Sequence, residues 1–196
     1  MNVNFIAEVS SNHSSDVDRC VDFIDCAADI GCDAVKFQLF KIDKLFAPEI
    51  LAKSEKHRMR RLWELSPALL PVLSERCRMK GIQFSCTPFY LAAVDELQPY
   101  VDFYKVASYE LLWDDLLVAC ARTGKPVIIS TGMANLDEIK HAVKILRNNK
   151  GYPKNMSGAI ISNYLQYSLV QYAFNYACKK LKNEKFKSFF WQRIRS

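Results

Sequence analysis

The sequence predicts an α/β fold built on a parallel sheet, and three observations lead there. Six short runs rich in β-branched and aromatic residues recur within the first 162 residues, and segments with helical spacing separate them. Strands joined by such crossovers pair in parallel with right-handed connections. No glycine-rich phosphate loop follows the first run, which argues against a nucleotide-binding sheet of the P-loop or GxGxxG kind. An open doubly wound sheet and a (β/α)8 barrel both fit.

The elements follow in order. Residues 3–9, VNFIAEV, read as the first strand. Val17, Val21, Ile24 and Ala28 then recur at helical spacing, with Ser14, Ser15 and Asp16 as candidate N-caps and Gly31 as the closing residue. DAVKFQLF, residues 33–40, is the second strand. The charged stretch 41–66 is too long for a simple connection and reads as a lid or insertion over a site. Pro67 opens a helix that ends near Lys80 and Gly81. Strands at 82–87, 102–108 and 126–131 follow, with helices at 91–97 and 114–123 between them. Asn135 caps a helix running to Asn149, and Glu138 completes a capping-box pattern. Residues 158–162, GAIIS, read as a sixth strand. A complete barrel needs roughly 200–250 residues, so a barrel reading implies that at least two βα units are missing.

Composition bounds the rest. The chain has 196 residues, half of them hydrophobic, and suits one domain with a sizeable core. No apolar run approaches the ~20 residues of a membrane helix, and the N-terminus lacks a signal-peptide pattern. Seven scattered cysteines without CxxC spacing read as reduced core thiols, so a cytoplasmic protein is expected. The net charge of +6 is unevenly placed: residues 165–196 hold seven basic and one acidic side chain, and eight of the 24 aromatics. That shift marks a boundary, giving a domain over 1–164 and a basic, aromatic tail over 165–196.

In either parallel architecture ligands bind at the C-terminal ends of the strands. Glu8, with Asn12 and His13 beyond it, ends the first strand; Lys36 and Gln38 lie on the second; Thr87 and Phe89 end the third. Lys105, Ser108 and Glu110 belong to the fourth, and Ser130 ends the fifth. Lys36 and Lys105 are the most informative, because each sits inside an apolar run where an unpartnered ammonium is costly. Each lysine is either paired with a structural carboxylate or snorkels to a rim; otherwise one of them forms a Schiff base with a carbonyl substrate, or both clamp an anion. Two lysines with the hydroxyls of Thr87, Ser108 and Ser130 favour the anion clamp. Glu8 suits a general base, a ligand for sugar hydroxyls or a loop cap. His57 and His141 read as solvated surface residues, and Trp63 and Trp113 as packing residues.

The stretches IAEVSSNH, GCDAVKFQ, GIQFSCTPF, YKVASYE and GKPVIISTGM together resemble the N-acetylneuraminate synthase family, which includes pseudaminic and legionaminic acid synthases. They occur in family order across residues 3–150. The resemblance implies a (β/α)8 TIM-barrel-type fold, here truncated after about six strands, in a homodimeric enzyme with a further C-terminal domain. It implies condensation of phosphoenolpyruvate with an N-acyl hexosamine, releasing phosphate, with Mn2+ or Mg2+ as the divalent metal. Carried over by position, Lys36, Thr87, Lys105, Ser108 and Ser130 would hold phosphoenolpyruvate. Glu8, Phe89 and Glu110 would face the amino sugar. Small molecules, rather than nucleic acid or a membrane, are the expected partners.

The sequence departs from the family pattern at residues 159–165. Ala159 and Ile160 stand where the family has a His-Cys pair, and Leu165 where it has proline. The family's two metal-binding histidines lie further on, so no metal ligand is assigned in this chain, and its activity is an open expectation. The alternatives are a Schiff-base aldolase on the same barrel, or a non-catalytic barrel remnant whose tail lies on an anionic surface. A frameshift near codon 164 would account for the tail.

Overall fold

The computed structural model describes residues 4–149 together with the backbone of 159–162. The expectations for 163–196 lie outside the described residues. Six strands form one parallel sheet: β1 (Ile6–Ser10), β2 (Ala34–Leu39), β3 (Gln83–Pro88), β4 (Phe103–Val106), β5 (Val127–Ser130) and β6 (Ala159–Ser162). Their order in the sheet is their order in the chain. A doubly wound sheet reverses direction at a switch point. This sheet has no reversal, so its wall is that of a barrel.

Helices occupy the intervals. α1 (Val17–Asp29) begins where the Asp16 carboxylate accepts the Arg19 N–H, 3.1 Å away, and ends before Gly31 at φ 83°. It buries Cys20, Ile24 and Ala27, spaced to lie on one face. α5 (Leu70–Lys80) buries Leu70, Leu73 and Cys77 in the same way and stops at Gly81, φ 71°. The helix starts at Leu70 rather than Pro67, because residues 67–69 form a separate 3-10 turn. α6 (Ala92–Leu97), α7 (Asp114–Arg122) and α8 (Leu136–Asn148) complete the series. Both halves of the Asn135–Glu138 capping box are present on α8. Each strand begins a residue or more later than its sequence run, and β1 and β3 extend one residue past the end of theirs.

The stretch 41–66 is largely helical: α2 (Ile42–Leu45), α3 (Pro48–Lys53), α4 (Glu55–Arg58) and a 3-10 turn over Met59–Trp63. It is tied down where the Glu64 carboxylate accepts the Ile42 N–H at 2.7 Å. The Ser15 hydroxyl donates to the Glu64 carbonyl at 2.5 Å. The segment is thereby anchored to the loop that follows β1.

Period-2 alternation gives each strand two faces. Val35, Phe37, Phe84, Tyr104, Val106 and Ile129 lie in one continuous core with Ile24, Leu73 and Leu116 of the helices. The opposite face carries Ala34, Phe103 and Ile128, which pack together with Ile6 as a small separate cluster. That face is the inner wall, and it positions the site.

Candidate functional site

The inner wall turns polar in one step toward the C-terminal ends of the strands. Glu8 pairs in register with Lys36, and Lys36 with Ser85. A register shift between Glu8 and Ser10, where Ser10 takes φ 56°, marks a bulge. Bulges re-aim side chains beside sites. Here the Glu8 carboxylate lies 2.6 Å from the Lys36 ammonium, and the Ser10 hydroxyl donates to the Gln38 side chain at 3.0 Å. Lys36 also donates to the Thr87 hydroxyl at 3.3 Å. The Lys36 side chain is 7% exposed and that of Glu8 32%, so the pair is screened from one side only.

Lys105 forms a second cluster. It is buried and donates to the Ser130 hydroxyl and, at 3.4 Å, to the Val106 carbonyl. Among the described residues no carboxylate lies within ion-pair distance of it. Burial, reinforced by the positive charge of Lys36 and opposed by Glu8, pulls its pKa from 10.5 down to about 8. The structure therefore brings together Glu8, Lys36 and Thr87, and separately Lys105 and Ser130, with charge acting between the two groups.

Phe89, Ser108 and Glu110 occupy the loops just beyond β3 and β4. Phe89 meets Phe40 edge-on at 6.3 Å. Ser108 and Glu110 bound a single 3-10 turn. Glu110 keeps one buried carboxyl oxygen without a hydrogen-bond partner, and burial raises its pKa. A buried acceptor left unmet costs about 1–3 kcal/mol, so this oxygen suits a hydroxyl or amide donor. No hydrogen bond or ion pair among the described residues joins these three side chains to the lysines.

Ser85 and Ser10 join the site's surroundings without having stood out in the sequence. Ser85 is buried on the inner face and donates to the Phe103 carbonyl at 3.0 Å; alternation with Lys36's neighbours was the signal for it. His13 is fully buried against Phe37, and its Nδ1 accepts the Ser15 N–H at 3.0 Å. Burial, with Arg19 nearby, lowers its pKa to about 4, so it is a neutral structural ring. His57 is half-buried rather than solvated, because Phe46 stacks edge-on at 4.6 Å and Ser54 bonds its Nδ1 at 2.6 Å. His141 pairs with Asp114 at 3.0 Å. Trp113 packs on the main core, and Arg60 lies over Trp63.

The family resemblance implies a divalent metal. Among the described residues no three His, Cys, Asp or Glu side chains gather where they could hold an ion. The described residues do not supply such a site. Nor is any helix among them long and apolar enough to cross a membrane.

Known proteins resemble this chain in sequence and in fold. The model of the NeuB family matches residues 23–165, a span holding Lys36, Thr87, Lys105 and Ser130, with Glu8 ahead of it. An uncharacterized protein of Methanocaldococcus jannaschii is 40% identical over 145 residues, covering 74% of this chain and 42% of that protein. The N,N'-diacetyllegionaminic acid synthase of Legionella pneumophila is 34% identical, covering 72% of this chain and 43% of its own length. The chain thus spans less than half of these curated relatives. Among solved structures, the sialic acid synthetase of Leptospira borgpetersenii, crystallised with citrate, superposes with a TM-score of 0.73 at 31% identity, over 83% of this chain and 54% of that one. A 3-deoxy-D-arabino-heptulosonate 7-phosphate synthase from Thermotoga maritima shares the fold at 12% identity and a TM-score of 0.59. By its sequence and by its barrel wall, the chain belongs to the NeuB family.

Proposed function

We propose that this barrel wall seats phosphoenolpyruvate and belongs to an enzyme that condenses it with an N-acyl hexosamine to give a sialic-acid-type nonulosonate. One observation carries the reading: two buried lysines on the inner wall, each donating to a strand-end hydroxyl. Placing two ammonium groups there with, among the described residues, only Glu8 to offset them is costly. A ligand with a carboxylate and a phosphate balances both. Phosphoenolpyruvate is such a ligand, and the relatives named as legionaminic, pseudaminic and sialic acid synthases support it.

In this reading Lys36 and Thr87 hold one anionic group, and Lys105 with Ser130 and Ser108 the other. C3 of the enol forms a bond to the aldehyde carbon of the open-chain sugar, water adds at C2, and phosphate leaves. Glu8 and Glu110 bind sugar hydroxyls, and Phe89 packs against the acyl group. The test is phosphorus NMR of phosphoenolpyruvate titrated with the chain. Saturable broadening is expected, and Lys36→Gln or Lys105→Gln should each weaken binding at least about tenfold, the loss of one charge-assisted hydrogen bond. Unchanged affinity in both variants would refute the reading.

A further inference from the structure

We propose that Lys105 is also a carbonyl-reactive amine, which takes a small 2-oxo acid such as pyruvate as a reversible imine while Lys36 holds the carboxylate. Lys36 is one of the two anion seats assigned above to phosphoenolpyruvate; the inference gives that seat to the carboxylate and to that extent rests on that reading.

The two lysines differ in what surrounds them. Lys36 is ion-paired to Glu8 at 2.6 Å and bonded to Thr87 at 3.3 Å. An ion-paired ammonium has no free electron pair to offer. Lys105 meets only neutral oxygens among the described residues, the Ser130 hydroxyl and the Val106 carbonyl. The charges acting on it are those of Lys36 and Glu8, and its burial is the larger effect. A desolvated lysine beside a second cation is the arrangement that favours a free amine for imine chemistry. Ser130, already bonded to the amine, is placed to relay a proton.

The step balances without a redox partner. The Lys105 nitrogen lone pair attacks C2 of the oxo acid and an N–C bond forms. The carbonyl π pair moves to oxygen, which takes the proton that nitrogen gives up, passed through the Ser130 hydroxyl. The carbinolamine then loses that oxygen as water, taking the second nitrogen proton, and the C=N bond closes. One water leaves per imine. Phosphoenolpyruvate has no carbonyl at C2, so Lys105 meets it only through charge. The same amine thereby treats two closely similar three-carbon acids differently.

The full chain is incubated with pyruvate and borohydride, with and without phosphoenolpyruvate, and the trapped lysine is located by peptide mass mapping. The expected product is a single carboxyethyl group on Lys105, with a yield that rises as pH passes through about 8. Phosphoenolpyruvate should slow trapping at least about tenfold, and Lys105→Gln should abolish it. The wild-type map names the lysine by itself, so the result does not depend on that variant folding. No adduct, an adduct on Lys36, or adducts spread over exposed lysines such as Lys140 would overturn the proposal. The phosphorus titration separates the two readings: phosphoenolpyruvate binding without trapping removes the imine alone, and trapping without that binding removes the phosphoenolpyruvate seat alone.

Discussion

The lower and upper halves of the inner wall differ by a single step along four of the strands that carry the site, β1, β2, β4 and β5. Ile6, Ala34, Phe103 and Ile128 form the lower level. Two residues further, about 7 Å on, the same strands present Glu8, Lys36, Lys105 and Ser130. Exposure does not explain the change, because both lysines are 5% exposed, close to Phe103 at 6% and Ile128 at 7%. Equal burial with opposite chemistry separates what stabilises the wall from what it is for. The lower level gains from leaving water. The upper level holds charge where charge is costly, which proteins do at functional sites.

The severest way to break this contrast is to move a charge down one step. Ile128→Lys places an ammonium in the apolar level without a carboxylate, and a loss of about 4 kcal/mol or more in urea unfolding is expected. A loss below about 1 kcal/mol would mean that the lower level is not an apolar seal.

Taking a charge out of the upper level should have the opposite sign. Lys105 has a folded pKa of about 8 against 10.5 when free. Between those values the unfolded chain binds more protons, so stability rises with pH across that window. The cost at neutral pH is about 3 kcal/mol. Lys105→Met should therefore be more stable than the wild type near pH 7, and the advantage should shrink as pH climbs from about 8 to 10.5. Parallel denaturation curves across that range check it, and a flat difference would assign the burial no electrostatic cost.

Glu8→Gln sharpens the contrast from the other side, since it strands the Lys36 ammonium. A cost of about 2 kcal/mol is expected, below that of a fully buried pair because Glu8 is about one-third exposed. Chemical denaturation of Glu8→Gln beside Glu8→Asp separates charge from shape: Asp should recover part of the loss.

The smallest effect lies at the end of β1 and in the loop that follows it. Ser10, Ser14 and Ser15 all take positive φ. The hydroxyls of Ser10 and Ser15 make hydrogen bonds, whereas Ser14 is exposed at φ 50° and has no side-chain bond among the described residues. Ser14→Gly should raise stability by about 1 kcal/mol, read as a rise in Tm.

Much of this was legible in the sequence because it depends on local pattern. Apolar runs gave the strands, Asp16 and Asn135 gave helix starts, and a lysine inside an apolar run gave both site lysines. The single winding of the sheet was not legible in the βα alternation, which serves a doubly wound sheet equally well; the family resemblance is what pointed to the barrel. The partnership of Glu8 with Lys36 was hidden by the bulge, which shifts register after Glu8. The helices of 41–66 were hidden because charged side chains leave them no apolar period, and what holds them is a carboxylate and a hydroxyl, Glu64 and Ser15, from the segment's end and from another loop. Burial of His13 depends on Phe37, 24 positions on, which no short window reveals.

The ordering of the sheet carries a consequence for how the molecule is made. Each strand from β2 to β6 bonds to the one preceding it in the chain. A ribosome releases the N-terminal residues first. Every new strand therefore emerges to find its partner edge already laid down, and the wall can grow vectorially, one βα unit at a time. The Lys36–Glu8 pair would close once β2 docks, and the Lys105–Ser130 contact only when β5 arrives. Arrested chains of increasing length would then acquire the two halves of the site in that order.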